Sequence, residues 1–93
     1  MAGSSARRSN MEIIVAILEA CRFGTCKTQV MYKCCLNFKQ LEGYLELLLK
    51  ANLLTIEIHH RFFMLTISDK GKEFLKTYQT MKTMIEQPFA PSS

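Results

Sequence analysis

The sequence has no apolar run that could span a membrane. Its longest runs, Ile13–Leu18 and Leu47–Leu49, are far shorter than the roughly 20 residues that a spanning helix needs. The first residues carry Arg7 and Arg8 but lack the apolar stretch of a signal peptide. We therefore expect an intracellular, cytoplasmic protein with no membrane partner.

The sequence also lacks the patterns of a catalytic or metal site. It has no nucleophile–base set and no glycine-rich phosphate loop. Its four cysteines include no CxxC pair, which argues against a zinc site even with His59 and His60 as extra ligands. We therefore expect no enzyme activity, no cofactor, no metal and no small-molecule substrate.

The cysteines should be thiols in a reducing compartment. Cys21 and Cys34 suit small positions in a core. Two alternatives stay open. One is a disulfide between Cys21 and Cys26, and the other is a cysteine-based redox or metal sensor, since all four cysteines fall between residues 21 and 35.

What is present suits one small domain. Ninety-three residues with 48% hydrophobic content can form a single core in which each element buries one face. The formal net charge of +4 suits a polyanionic partner such as nucleic acid without identifying one.

Apolar residues at helical spacing predict helices over about 11–22, 26–34 and 38–51. Their predicted N-terminal caps are Asn10, Thr25 and Asn37. Gly24 is expected to end the first helix in a left-handed conformation. The buried stripe of the third helix comprises Leu41, Tyr44, Leu45 and Leu48. Its opposite face carries Lys39, Gln40, Gly43, Glu46 and Lys50.

A hairpin and a last helix follow. Leu54–Ile58 alternates apolar and polar residues like a half-buried strand, His59-His60 is the predicted turn, and 61–67 is the returning strand with Phe63 and Leu65 inward. Ser68 should cap a helix over about 69–87, which Pro88 ends. An a/d seam on this helix predicts a dimer interface of Phe74, Tyr78, Met81 and Ile85.

This order of elements predicts an α+β fold, a winged helix-turn-helix with three helices, a β-hairpin wing and a C-terminal dimerisation helix. The predicted divisions are a flexible basic arm at 1–9, a winged-helix DNA-binding domain at 10–67, a coiled-coil helix at 68–87 and a disordered tail at 88–93. The arm is either a solubilising tail or a segment in which Arg7 and Arg8 contact DNA phosphates.

The third helix is the predicted reader of double-stranded DNA, because its N-terminal end would point into the major groove. The predicted groove contacts on this helix are Asn37, Phe38, Lys39, Gln40 and Gly43. The predicted phosphate contacts are Lys27 and Thr28 on the second helix and His60 and Arg61 at the hairpin. Glu42 and Glu46 weaken the positive field of the helix, so a protein–protein interaction module without DNA binding is the alternative.

The chain resembles a family of small archaeal winged-helix DNA-binding regulators. The resemblance covers about residues 9–86 and lies in Lys27-Thr28, Met31-Tyr32, Gln40-Leu41 and Tyr44-Leu45, and in Leu65-Thr66 followed by Lys70-Gly71. It implies a homodimer, joined by an antiparallel coiled coil of the last helices, that acts as a transcription regulator or a small chromatin protein at the nucleoid. The family usually has glycine where this chain has Ala51-Asn52, and asparagine tolerates the same left-handed conformation.

Overall fold

A computed structural model describes residues 9–86. Its elements in chain order are α1 (Asn10–Ala20), α2 (Lys27–Cys34), α3 (Phe38–Lys50), β1 (Leu54–His59), β2 (Phe62–Ile67) and α4 (Asp69–Glu86). This confirms the predicted order of three helices, a hairpin and a last helix. Within this range no helix has the length and apolar character needed to cross a bilayer. Arg7, Arg8 and Pro88 lie outside the described residues.

The core is formed where the three N-terminal helices meet the base of the hairpin and the first half of α4. Burial of a Leu or Ile side chain contributes about 2 kcal/mol, so the aliphatic members of this cluster supply most of the driving force for folding. The buried residues are Ile17, Leu18, Cys21, Val30, Cys34, Leu36, Leu41, Leu45, Leu48, Leu53, Leu54, Leu65, Ile67 and Leu75.

Ser9 caps α1, and the prediction of Asn10 as the cap is wrong by one residue. The backbone N–H of Glu12 donates to Oγ of Ser9 at 3.1 Å, and the N–H of Ser9 donates to Oε1 of Glu12 at 3.1 Å. This capping box needs Glu or Gln three residues after the cap, and Glu12 stands at that distance from Ser9. Asn10 instead accepts a hydrogen bond of 2.8 Å from Oη of Tyr44, so it ties α1 to α3.

Thr25 does not cap α2, because its backbone is used in the sheet. Its N–H donates to the carbonyl of Leu65 at 2.9 Å, and the N–H of Leu65 donates back at 2.7 Å. The N-terminal cap of α2 is instead Cys26, whose side chain makes no capping hydrogen bond. Gly24 precedes this bridge with the predicted left-handed φ of +87°. It does not end α1 as predicted, because that helix already ends at Ala20 with Cys21 as its C-terminal cap.

The hairpin is antiparallel, with Leu54 opposite Ile67 at its base and His59 opposite Phe62 at its tip. The turn is His60-Arg61, one residue later than predicted, with His60 at a φ of 57°. Phe63 was predicted to point into the core but is 66% exposed. It shares a face with buried Leu65, yet the hairpin extends past the end of the core at that position.

The loop after α3 is joined to the start of α4 by one hydroxyl group. Oγ of Ser68 donates to the carbonyl of Asn52 at 2.6 Å and accepts from the N–H of Gly71 at 2.9 Å, which confirms Ser68 as the cap of the last helix. Asn52 has the left-handed φ of 64° expected at that position. Gly71 is buried against the backbone of Leu53.

Candidate nucleic-acid interface

The orientation of α3 is set by the short turn that follows α2. Cys35 ends α2 in a left-handed conformation, with φ 56° and ψ 47°. The N–H of Leu36 then donates to the carbonyl of Met31 at 3.0 Å, and the Leu36 side chain is buried. The turn therefore directs the N-terminal end of α3 outward while an apolar anchor holds it to the core.

One face of α3 is fixed in the core and the opposite face is exposed. Leu41, Leu45 and Leu48 are buried, as predicted, whereas Tyr44 of the same predicted stripe is only partly buried. At 3.6 residues per turn, Lys39, Gly43 and Lys50 fall in one row on the outward face. A Cβ atom placed on Gly43 would have no neighbour within 4 Å, so the middle of this row is a shallow gap in the surface.

The cap of α3 engages two residues that were predicted to contact DNA. The N–H of Gln40 donates to Oδ1 of Asn37 at 2.8 Å, and the N–H of Asn37 donates to Oε1 of Gln40 at 3.0 Å. The capping box confirms Asn37 as the N-terminal cap of α3. It also occupies the oxygen that Gln40 would need for bidentate pairing with adenine. Only the Nε2 donors of Gln40 remain available without loss of this hydrogen bond.

Lys27 contacts the N-terminal turns of α3. Its Nζ lies 2.6 Å from Oε2 of Glu42 and 5.6 Å from the centre of the Phe38 ring. Both charged side chains are nearly half exposed. The carboxylate of Glu42 is therefore offset by Lys27, so the predicted phosphate contact of Lys27 would have to be shared with this ion pair.

Glu46, the second acidic residue on α3, forms a longer ion pair than Glu42 does. Nζ of Lys50 lies 4.0 Å from Oε2 of Glu46, and both side chains are more than 70% exposed. Exposed pairs of this kind contribute little to stability. The two carboxylates that weaken the field of α3 thus each face a lysine, and Lys39 is the cation of α3 that forms no ion pair with another described residue.

Comparison with protein families gives a match over nearly the whole chain. The model that matches residues 7–86 describes a winged helix-turn-helix. The chain belongs to the winged helix-turn-helix family. No curated protein matches it.

Solved structures of other proteins share the fold of this chain. Sso10a-2, a DNA-binding protein from Sulfolobus solfataricus, is 27% identical with a TM-score of 0.75, over 88% of this chain and 86% of that one. This agrees with the resemblance to archaeal regulators. Two others show the fold alone. A Listeria innocua protein of unknown function is 18% identical with a TM-score of 0.73, over 87% of this chain and 60% of that one. Bordetella bronchiseptica BpsR, whose DNA binding is regulated by 6-hydroxynicotinic acid, is 16% identical with a TM-score of 0.66, over 94% of this chain and 64% of that one.

The other predicted contacts of the winged helix-turn-helix domain lie on α2, at the hairpin turn and at the start of α3. Thr28 is exposed in the first turn of α2, and His60 and Arg61 are exposed at the hairpin turn. His59 is directed to its own strand, where Nε2 lies 3.1 Å from Oε1 of Glu57. Phe38 is 57% exposed at the start of α3.

The cysteines of the winged helix-turn-helix domain do not form a metal or disulfide site. All four are thiols, with Cys21 and Cys34 buried and Cys26 and Cys35 exposed. Burial, with a smaller effect of nearby Cys34, raises the pKa of Cys21 to about 12, so this thiol is not a reactive thiolate at neutral pH. Among residues 9–86 no three His, Cys, Asp or Glu side chains are grouped so that they could hold a metal ion.

Two features of this surface were not predicted. Leu47, which was on neither the predicted buried stripe nor the predicted outward face, is 52% exposed beside the Lys39–Gly43–Lys50 row. The Lys27–Glu42 pair joins two helices, so only the folded structure brings it together. The helical spacing of Leu47 from the buried stripe is the signal that could have identified the first of these.

Proposed function

We propose that the protein binds double-stranded DNA as a transcription regulator, with α3 in the major groove and without a catalytic activity. The supporting observation is the outward face of α3. A groove-reading helix needs one face held by a core and the other free and polar. The three buried leucines meet the first condition, and Lys39, Gly43 and Lys50 meet the second.

Gly43 suits this role because a helix in the major groove must approach the bases closely. A glycine in the middle of a helix costs about 1 kcal/mol relative to alanine. No neighbour within the domain requires the missing side chain, since the space around the position is open. We infer that the gap admits the edge of the duplex between Lys39 and Lys50.

The proposed contacts divide between bases, at the N-terminal end of α3, and phosphates of the DNA, at α2 and the hairpin turn. Lys39 can reach guanine O6 and N7, a contact worth roughly 1–3 kcal/mol of discrimination. Gln40 can donate from Nε2 while its oxygen stays in the capping box, and Asn37 holds that box in place. Phosphates would be contacted by Thr28, His60 and Arg61, with Lys27 shared with Glu42.

A homodimer through α4 is the second part of the proposal. The C-terminal half of this helix exposes Met81, Met84 and Ile85 at 54%, 64% and 65%. Met11 of α1 lines the same apolar hollow as Phe74, Tyr78 and Met81, so the first helix widens the predicted seam. Such a dimer would present two reading helices to one duplex, in the cytoplasm and at the nucleoid.

The test is a titration of the purified protein with duplex DNA at several salt concentrations, with its mass measured in the same buffer. Affinity that falls steeply with salt would support neutralisation of several phosphates. K39A with Q40A should weaken binding to a selected site more than to random DNA, whereas K82A, which removes the same charge from α4, should not. Absence of binding at low salt would refute the proposed function.

A further inference from the structure

The outer half of the hairpin is apolar and exposed. Ile58, Phe62 and Phe63 are 68%, 72% and 66% exposed, and Ile56 nearer the base is 47% exposed. These side chains contribute little to the core, because the hairpin has already passed it. Contiguous apolar groups left in solvent by a small domain mark a contact surface.

Two of these residues form one face. Ile58 lies directly opposite Phe63, and Ile56 lies opposite Leu65, so the four side chains share one side of the hairpin. Ile56 and Leu65 also line a cleft of about 350 Å³ whose other wall includes Leu45, Leu49 and Gly43 of α3. We call Ile58 and Phe63 the apolar hairpin face. Phe62 alternates to the opposite side.

The formal charges of the hairpin balance, because Arg61 and Glu57 are the charged residues of the segment 54–67. The tip carries Arg61 with His59 and His60, and the acidic group nearby, Glu57, lies 3.1 Å from the His59 ring. Arg61 is the one full cation of the hairpin, residues 54–67. It can position the hairpin on a phosphate but cannot by itself supply a large electrostatic affinity. Because the face borders the cleft beside Gly43, a duplex whose major groove holds α3 would present its neighbouring minor groove here.

We propose that the apolar hairpin face enters the minor groove and wedges Phe63, supported by Ile58, into a base step, which bends the duplex. This inference rests on the proposed function and adds to it a contact between the hairpin and the minor groove. Apolar wedges in the minor groove partly unstack a step and kink the DNA toward the major groove. Pyrimidine–purine steps such as TA and CA/TG open most readily, so the wedge selects sites that carry such a step beside the sequence under α3.

The test uses a duplex with a TA step at its centre, fluorescent dyes at its two ends and 2-aminopurine at the step. Binding of the full chain should raise energy transfer between the dyes, and unstacking should raise the 2-aminopurine fluorescence. F63A should abolish both signals and lower the affinity about tenfold, the effect expected for one lost stacking contact. F62A, on the opposite side, and F23A, which removes a 92% exposed ring from the turn after α1, should retain both.

All three phenylalanines are exposed, so the variants should fold like the parent chain. Salt-sensitive binding with unchanged energy transfer would overturn the wedge and leave the proposed function intact. Equal losses in F62A and F63A would overturn the assignment to one face. A DNA-free assembly that F63A dissociates would show the face to be a protein contact. Absence of any binding would overturn both proposals.

Discussion

α3 and α4 bury similar faces but present different surfaces outward. α3 packs through leucines and exposes Lys39, Gly43 and Lys50. α4 packs through Gly71 and Leu75, and its second half exposes Met81 and neighbouring apolar groups. In both helices the buried face holds the element in place. The outward face differs in chemistry, and that difference favours a polyanion on one helix and a second copy of the chain on the other.

Each of these helices contains one glycine, and the same substitution should have opposite effects on the free energy of unfolding. A Cβ atom on Gly71 would meet the carbonyl oxygen of Leu53 and lie 2.6 Å from Cγ1 of Ile67. Because backbone cannot move aside easily, we expect G71A to destabilise the domain by about 3 kcal/mol. G43A meets no neighbour and should stabilise it by about 1 kcal/mol.

Chemical denaturation of the two variants measures both effects. G43A should also lower DNA affinity despite its greater stability, because the added methyl group fills the gap on the outward face of α3. A G43A protein that is more stable and binds DNA as well as the parent would remove Gly43 from the interface. A G71A protein of unchanged stability would mean that the start of α4 can shift.

The second test places a charge on each outward face. Met81 and Leu47 are 54% and 52% exposed, so M81E and L47E are matched substitutions. In a symmetric dimer M81E buries two like charges, which we expect to raise the dimer dissociation constant about a hundredfold. Light scattering should then give the monomer mass for M81E and the parent mass for L47E. Dimers of M81E would place the interface elsewhere.

Much of the fold was predictable because helical periodicity is local information. The stripe of Leu41, Leu45 and Leu48 and the Asn37 cap depend on residues within one helix. The capping box of Ser9 and Glu12 was equally local, and its spacing could have corrected the prediction at Asn10.

The features that escaped prediction depend on groups far apart in the chain. Thr25 stays extended because its backbone pairs with Leu65, and the turn falls at His60-Arg61 because of the register between the two strands. Lys27 looked available for phosphate, yet Glu42 lies within hydrogen-bond distance on the next helix. The candidate site therefore carries the predicted residue types, but its hydrogen bonds and ion pairs change which of them are available.

The cap of α3 separates stability from recognition. N37A removes the acceptor for the N–H of Gln40, which should cost about 1 kcal/mol. N37D keeps that acceptor and favours the positive end of the helix dipole, so its stability should match that of the parent. The added negative charge should still weaken DNA binding several-fold. Equal DNA affinity for N37D and the parent, measured at low salt, would place the N-terminal end of α3 away from the duplex.

The smallest effect is expected from the carboxylates that offset the lysines beside α3. E42Q removes the group 2.6 Å from Lys27, and E46Q removes the same charge from a pair separated by 4.0 Å. Because all four side chains are substantially exposed, stability should change by no more than about 0.5 kcal/mol in either variant. Both variants should bind DNA more tightly. E42Q alone should also make the slope of log affinity against log salt concentration steeper by about 1, because it releases Lys27 to contact a phosphate. Identical salt slopes for the two variants would mean that Glu42 acts only through its charge and that Lys27 stays on Phe38 when DNA is bound.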